Sequence, residues 1–212
     1  SSSQEGGPIV ELEQLVAERW GVKYALAHSS GTAALRAALF GAGVVPGDEV
    51  IVQSAVHPYA CLPIIGCGAI PVFADLDPKL TTLDPADVER RTTAKTKAVI
   101  VVHWNGMPVD MDAMLDIGRR HGIRVIEDNC VSQGTEHRGR MCGSIGDVGA
   151  ISFQDGKLTS AGEGGLLITN DEERQRYRVL LAEVRRDALV AEGKVLKRLR
   201  TGPKCAAALA IA

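Results

Sequence analysis

Lys157 has the most unusual chemical setting in the sequence. It lies in Ser152-Phe153-Gln154-Asp155-Gly156-Lys157, at the end of an apolar run, and Gly162-Glu163-Gly164-Gly165 follows it. Lysine ordinarily stays where its ammonium is hydrated. An amine held in a partly desolvated cleft loses proton affinity and can form a Schiff base with an aldehyde. An exposed loop lysine is the plain alternative, and the neighbours must decide between the two.

Two further groups bear on that choice. Ser30-Gly31-Thr32-Ala33 falls where a short strand meets a helix. A helix start offers unpaired N–H groups and the positive end of the dipole, and glycine lets a ligand approach the backbone, so the junction could cradle a phosphate. An ordinary cap by Ser30 or Thr32 is the plainer reading of the same residues. Glu127-Asp128 ends the apolar run Arg124 to Ile126. Strand carboxyl ends are where open α/β sheets bind ligands, and an acid there can pair with a cationic ring nitrogen or with a metal, or stay solvated.

Other candidates carry less. Gly41-Ala42-Gly43 to Gly47 follows a helix and contains Pro46, so the strand-then-helix context of a dinucleotide loop is missing. Cys130, His137 and Cys142 match no common zinc spacing, and no metal site is expected. His28, His103 and His121 read as structural. His57, beside Pro58 and Tyr59 just after a strand, could lay its ring over a ligand.

The elements that would position these groups alternate between short β-branched runs and segments of helical periodicity, which predicts a mainly parallel sheet covered by helices. Strands are expected at Tyr24 to Ala27, Glu49 to Gln53, Ile70 to Asp75, Ala98 to His103, Arg124 to Glu127, Val148 to Phe153 and Gly165 to Thr169. The last two read as a hairpin or as neighbours. Helices are expected at Ile9 to Trp20, from Gly31 through about Phe40, and at Pro58 to Cys67, Pro85 to Arg91 and Met111 to His121. Beyond Asp171 the chain reads as a charged, solvated helix to Arg200. There is no internal repeat and no linker between two cores, so residues 1–212 read as one domain.

Composition sets the outer bounds. The 212 residues are 45% hydrophobic and 24% charged, enough for one sizeable core, and exclude a disordered tail or a small disulfide scaffold. With 24 basic and 26 acidic residues the net charge is −2, so no field favours nucleic acid or an anionic membrane. Five cysteines without a CxxC pair point to reduced thiols. No apolar stretch reaches the roughly 18 residues of a membrane span, and residues 1–7 do not form a secretory signal. A cytoplasmic protein is expected.

In this order the motifs resemble the DegT/DnrJ/EryC1/StrS aminotransferases, which use pyridoxal 5'-phosphate on the type I (aspartate aminotransferase) fold. The likeness runs from Gly7 to about Asp171. It rests on Ser30 to Leu35, Pro46 to Val52, Pro108 to Asp112, Ile126-Glu127-Asp128, Gly143 to Asp147 and Ser152 to Gly165. The last stretch looks most like the branch of aminocyclitol aminotransferases and 3-amino-5-hydroxybenzoate synthases. The resemblance implies that Lys157 holds the cofactor and moves the substrate proton, and that Asp128 pairs with the pyridine nitrogen. It further implies that Gly31, Thr32, Ala33 and Ser152 meet the phosphate and that His57 stacks on the ring. An α/β large domain, an amino-acid donor, a keto-sugar or keto-cyclitol acceptor and at least a dimer follow in the same way.

The sequence also departs from the family pattern. Val131 stands where relatives place a glutamine on the cofactor's phenolic oxygen, so either Gln133 substitutes or that bond is absent. Thr201-Gly202-Pro203-Lys204 lacks the asparagine that relatives lend to a neighbouring subunit's phosphate site, and the family's small C-terminal domain is expected to be absent from residues 1–212. An aminotransferase is therefore expected, alongside two competing expectations: a truncated or split member serving as a non-catalytic or half-site partner subunit, and a lysine-retaining dehydratase like the hydroxybenzoate synthases.

Overall fold

A central sheet buried on both faces organises the chain. The computed structural model describes residues 7–172. The charged segment expected to be helical from residue 172 onward lies, but for its first residue, outside the described residues. In chain order the elements are α1 (Pro8–Trp20), β1 (Tyr24–His28), α2 (Gly31–Gly41), β2 (Glu49–Gln53), α3 (Pro58–Gly66), β3 (Ile70–Ala74), α4 (Pro85–Arg91) and β4 (Thr96–Val102). There follow α5 (Met111–His121), β5 (Arg124–Asp128), β6 (Glu136–His137), β7 (Arg140–Met141), β8 (Val148–Ser152) and β9 (Gly165–Thr169).

Within the described residues the expected strands and helices form, their ends either as expected or moved by one or two residues. The small pair β6 and β7 was not foreseen, because two-residue strands carry no periodicity. Nor was the 3-10 turn at Trp104–Gly106.

The seven-stranded sheet has the order β1-β9-β8-β5-β4-β2-β3. Strands β3, β2, β4, β5 and β8 pair in parallel, while β9 is antiparallel to both β8 and β1. Only β9 therefore runs against the rest. The open choice between a hairpin and adjacent strands resolves as direct neighbours, with Ser152 opposite Gly165 and the Lys157 loop between them.

Alternate residues of each strand enter opposite layers. Ala98, Ile100 and Val102 of β4 pack with Ala34, Leu35 and Ala38 of α2 and Ile64 of α3. Val99 and Val101 pack with Val88 of α4 and Met111 and Met114 of α5. Leu12 and Val16 of α1 cover Ala25, Ile151 and Ile168. Burial on both faces is why these strands read as unbroken apolar runs rather than as alternating ones. Each large side chain so buried contributes roughly 1.5–3 kcal/mol.

The helices start and stop where side chains dictate. The Ser30 hydroxyl accepts the Ala33 N–H at α2, and Asp84 and Asp110 cap α4 and α5 in the same way. Each such cap is worth about 1 kcal/mol. With β1, β2, β4, β5 and β8 all pointing one way, the segments that follow them gather at one edge of the sheet.

Candidate active site

A cavity of about 430 Å³ opens at that edge. Gly31 and Thr32 border it from the start of α2, Asp128 from the end of β5, Ser152 from the end of β8, Lys157 from the β8–β9 loop and His57 from the segment after β2. Six of the seven residues expected to form a site thus share one space. Ala33 does not line it: its N–H is taken by the Ser30 hydroxyl at 3.1 Å, so the ordinary cap forms one residue away from Thr32, which does line the cavity.

Glu127 and Asp128 divide their work because consecutive strand residues face opposite ways. Glu127 is fully buried and accepts N–H groups from Gly143 (2.8 Å), Ile145 (2.6 Å) and Gly146 (2.6 Å). It also meets His103 Nε2 at 2.9 Å. His103 Nδ1 accepts the Val109 N–H at 3.2 Å, so the ring proton sits on Nε2 and a neutral imidazole donates to the carboxylate. This pair fastens the Gly143–Gly146 turn to the sheet and does not line the cavity. Both ring nitrogens of His103 are engaged within the fold, and the ring does not line the cavity.

Asp128 borders the cavity, is 7% exposed, and its Oδ1 accepts the Cys130 N–H at 3.0 Å. Burial pushes its carboxyl above the usual aspartate range, against the opposing pull of the Cys130 thiol and N–H and of the positive charge of Lys157. A buried acid raised in this way gains most from a cationic partner placed in the cavity.

Lys157 is half-buried in a loop folded on itself. Its N–H donates to the Gln154 carbonyl (3.1 Å), Asp155 N–H to Gly162 (2.8 Å) and Ala161 N–H to Phe153 (2.8 Å). The amine's charge reaches both Asp128 and Cys130.

At the start of α2, glycine is required by packing. A Cβ on Gly31 would lie 2.6 Å from Cys130 Sγ and 2.8 Å from Ser152 Cβ. On the facing strand a Cβ at Gly165 would come within 2.3 Å of the Ser30 carbonyl carbon. These contacts press the start of α2 onto the ends of β8 and β9.

His57 is exposed at the cap of α3, with Nδ1 accepting the Tyr59 N–H at 3.4 Å. Its ring centroid lies 4.5 Å from that of Tyr59 at an interplanar angle of 32°. Tyr59, Trp104, Cys130 and Val131 also line the cavity and were not expected there. Trp104 directly follows the β4 segment, and the rule that ligands sit beyond strand carboxyl ends would have found it.

Gln133 does not supply the contact that Val131 lacks. Its amide is spent elsewhere, donating to the Ser152 carbonyl and accepting from Thr159, and it does not border the cavity. The three residues weighed for zinc are separated: Cys130 lines the cavity, Cys142 groups with His103 and Glu127, and His137 with Asp110 and Asp112.

The family model described as "DegT/DnrJ/EryC1/StrS aminotransferase family" matches residues 2–195. The GDP-perosamine synthase of Caulobacter vibrioides is 43% identical over 171 residues, covering 81% of this chain and 46% of that protein. The L-glutamine:2-deoxy-scyllo-inosose aminotransferase of Streptoalloteichus tenebrarius is 46% identical over 156 residues, 74% of this chain and 37% of its own length. Among solved structures, S. venezuelae DesV in complex with a ketimine intermediate superposes with a TM-score of 0.80 at 38% identity, covering 84% of this chain and 49% of that one. The chain thus spans about half the length of the relatives it matches or less.

Proposed function

The chain belongs to the DegT/DnrJ/EryC1/StrS aminotransferase family, and on that premise we propose that it is the pyridoxal-phosphate-binding large domain of a sugar or cyclitol aminotransferase. The observation that carries this reading is that Lys157, Asp128 and the start of α2 border one cavity. The residues fit the cofactor. Asp128 is a buried acid raised by desolvation that faces the cavity, and the helix start with Gly31 and Thr32 suits an anion.

When bound, the cofactor supplies an aldehyde and an electron-accepting ring. Asp128 would hold the ring nitrogen's proton and keep the ring cationic. Thr32, Gly31 and Ser152 would hold the phosphate. Lys157 Nζ would hold the cofactor through its aldehyde carbon and would carry a proton between the substrate carbon and that same carbon. His57 would lie over the ring, and with Tyr59 beside it would help keep water away.

The donor in this reading is an amino acid and the acceptor a keto sugar or keto cyclitol. It is supported by relatives named for making perosamine and for aminating an inosose. A homodimer, or a heteromer with a related subunit, is supported by Tyr59, Leu62 and Ile65, which are 60%, 48% and 58% exposed at three-residue spacing along α3 beside the cavity. The cytoplasm fits the four described cysteines, all free thiols; no helix among the described residues is long and apolar enough to cross a membrane.

The test adds pyridoxal phosphate, records the visible band of a lysine adduct, and traps it with borohydride for peptide mapping. The label is expected on Lys157, and Lys157→Ala should lose the band. A label on another lysine, or no band in the unaltered protein, overturns the reading. Turnover only on mixing with a second subunit would identify a half-site partner.

A further inference from the structure

We propose that Gln133 is a positioning residue that clamps the far side of the Lys157 loop and so aims the amine into the cavity. The inference rests on the reading of Lys157 as the residue that bonds the cofactor.

Gln133 is 5% exposed, and both ends of its amide are used. Nε2 donates to the Ser152 carbonyl at 2.6 Å. Oε1 accepts the Thr159 N–H at 3.0 Å and the Thr159 hydroxyl as well. The partners leave one orientation: a carbonyl oxygen needs the NH₂, and an N–H needs the oxygen. Ser152 is the last residue of β8, and Thr159 lies just past Lys157. One buried side chain, delivered from the segment after β5, therefore bridges the strand before the lysine and the backbone after it.

The bonds that fold the loop on itself, Asp155 to Gly162 and Ala161 to Phe153, would let it move as a unit. The bridge to Gln133 ties it to a different strand end. Asp128 and Cys130, which share the cavity with Lys157, sit on that same β5 end. The clamp thus refers the amine's position to the acid it must work with. Rigid support of this kind is what holds a reactive group within the fraction of an ångström that chemistry requires.

The experiment uses Gln133→Ala, Gln133→Glu and Thr159→Val in the full chain without added cofactor. It measures amide hydrogen exchange across residues 153–164, acetylation of Lys157 relative to the other lysines, and global unfolding in urea. Gln133→Ala is expected to speed exchange in that segment about tenfold or more and to raise Lys157 acetylation severalfold, with β4 and β5 exchange unchanged. Thr159→Val should do the same to a smaller degree. Gln133→Glu should resemble the Ala variant at neutral pH and recover as the pH falls, because only a protonated carboxyl can donate to the Ser152 carbonyl.

If Gln133→Ala does not fold, the other two variants decide alone. Exchange and acetylation like those of the unaltered protein, or faster exchange spread evenly over the sheet, would overturn the proposal. An unaltered protein that forms no cofactor band fails the functional reading instead, which these measurements on the cofactor-free protein keep distinct.

Discussion

Gly31 and Ser152 approach so closely that a Cβ on the glycine would lie 2.8 Å from the serine Cβ. The contact joins the start of α2 to the end of β8, and with them two sides of the proposed cofactor cavity. Gly31→Ala must push these elements apart or displace the Cys130 thiol, an overpacking cost of about 1–3 kcal/mol. Urea unfolding should show that loss, and pyridoxal phosphate titration should show weakened binding, because the displaced strand end carries Ser152. Unchanged values for both would mean that the cradle is looser than the packing indicates.

Asp128 is expected to trade stability for chemistry. Its folded carboxyl is raised by burial, so the cost of keeping it charged appears as the pH rises through the folded value and is relieved below the ordinary aspartate range. Asp128→Asn should therefore raise the unfolding midpoint of the cofactor-free protein at neutral pH. On the proposed function, aminotransferase turnover should fall by about a hundredfold or more, the scale of removing one preorganised electrostatic partner. A variant both less stable and fully active would contradict both halves.

Glu127 should behave in the opposite manner. Replacing it with Ala strands three backbone N–H groups and the His103 ring inside the protein. The expected cost is several kcal/mol, because each buried donor left without its acceptor costs about 1–3 kcal/mol. Thermal unfolding reads it directly. A loss below about 1 kcal/mol would show that water enters to satisfy those donors.

His28 is 2% exposed, and neither ring nitrogen has a hydrogen-bond partner among the described residues. Desolvation lowers its pKa from 6.5 to about 4. A lowered histidine contributes stability that is present at neutral pH and disappears as the pH falls from 6.5 toward 4, where the unfolded chain binds the proton first. The loss should amount to about 3 kcal/mol across that window. Urea midpoints at several pH values should fall steeply there for the unaltered protein and less for His28→Leu.

Much of this was legible in the sequence. Glu49 to Gln53 and Gly165 to Thr169 are strands with the expected bounds, because strands buried on both faces must be apolar throughout. Ser30 caps α2, one of the two caps its stretch offered, because its side chain can reach back to a free N–H. The site motifs were visible as three separate stretches, each with an ordinary reading of its own.

What the residue order determined was the kind of group at each strand end: an amine, an acid and an open helix start. That they meet was expected only through the family resemblance; the fold is what brings them together. The common direction of β1, β5 and β8 carries Thr32, Asp128 and Lys157 to a single edge, and strand alternation turns Asp128 toward the cavity while Glu127 serves the Gly143–Gly146 turn. The use of Gln133 was likewise out of reach, since its partners Ser152 and Thr159 lie 19 and 26 residues away and a hydrogen bond across that distance leaves no local pattern. Periodicity reports which face a side chain takes, whereas contacts between distant segments exist only once the sheet has closed.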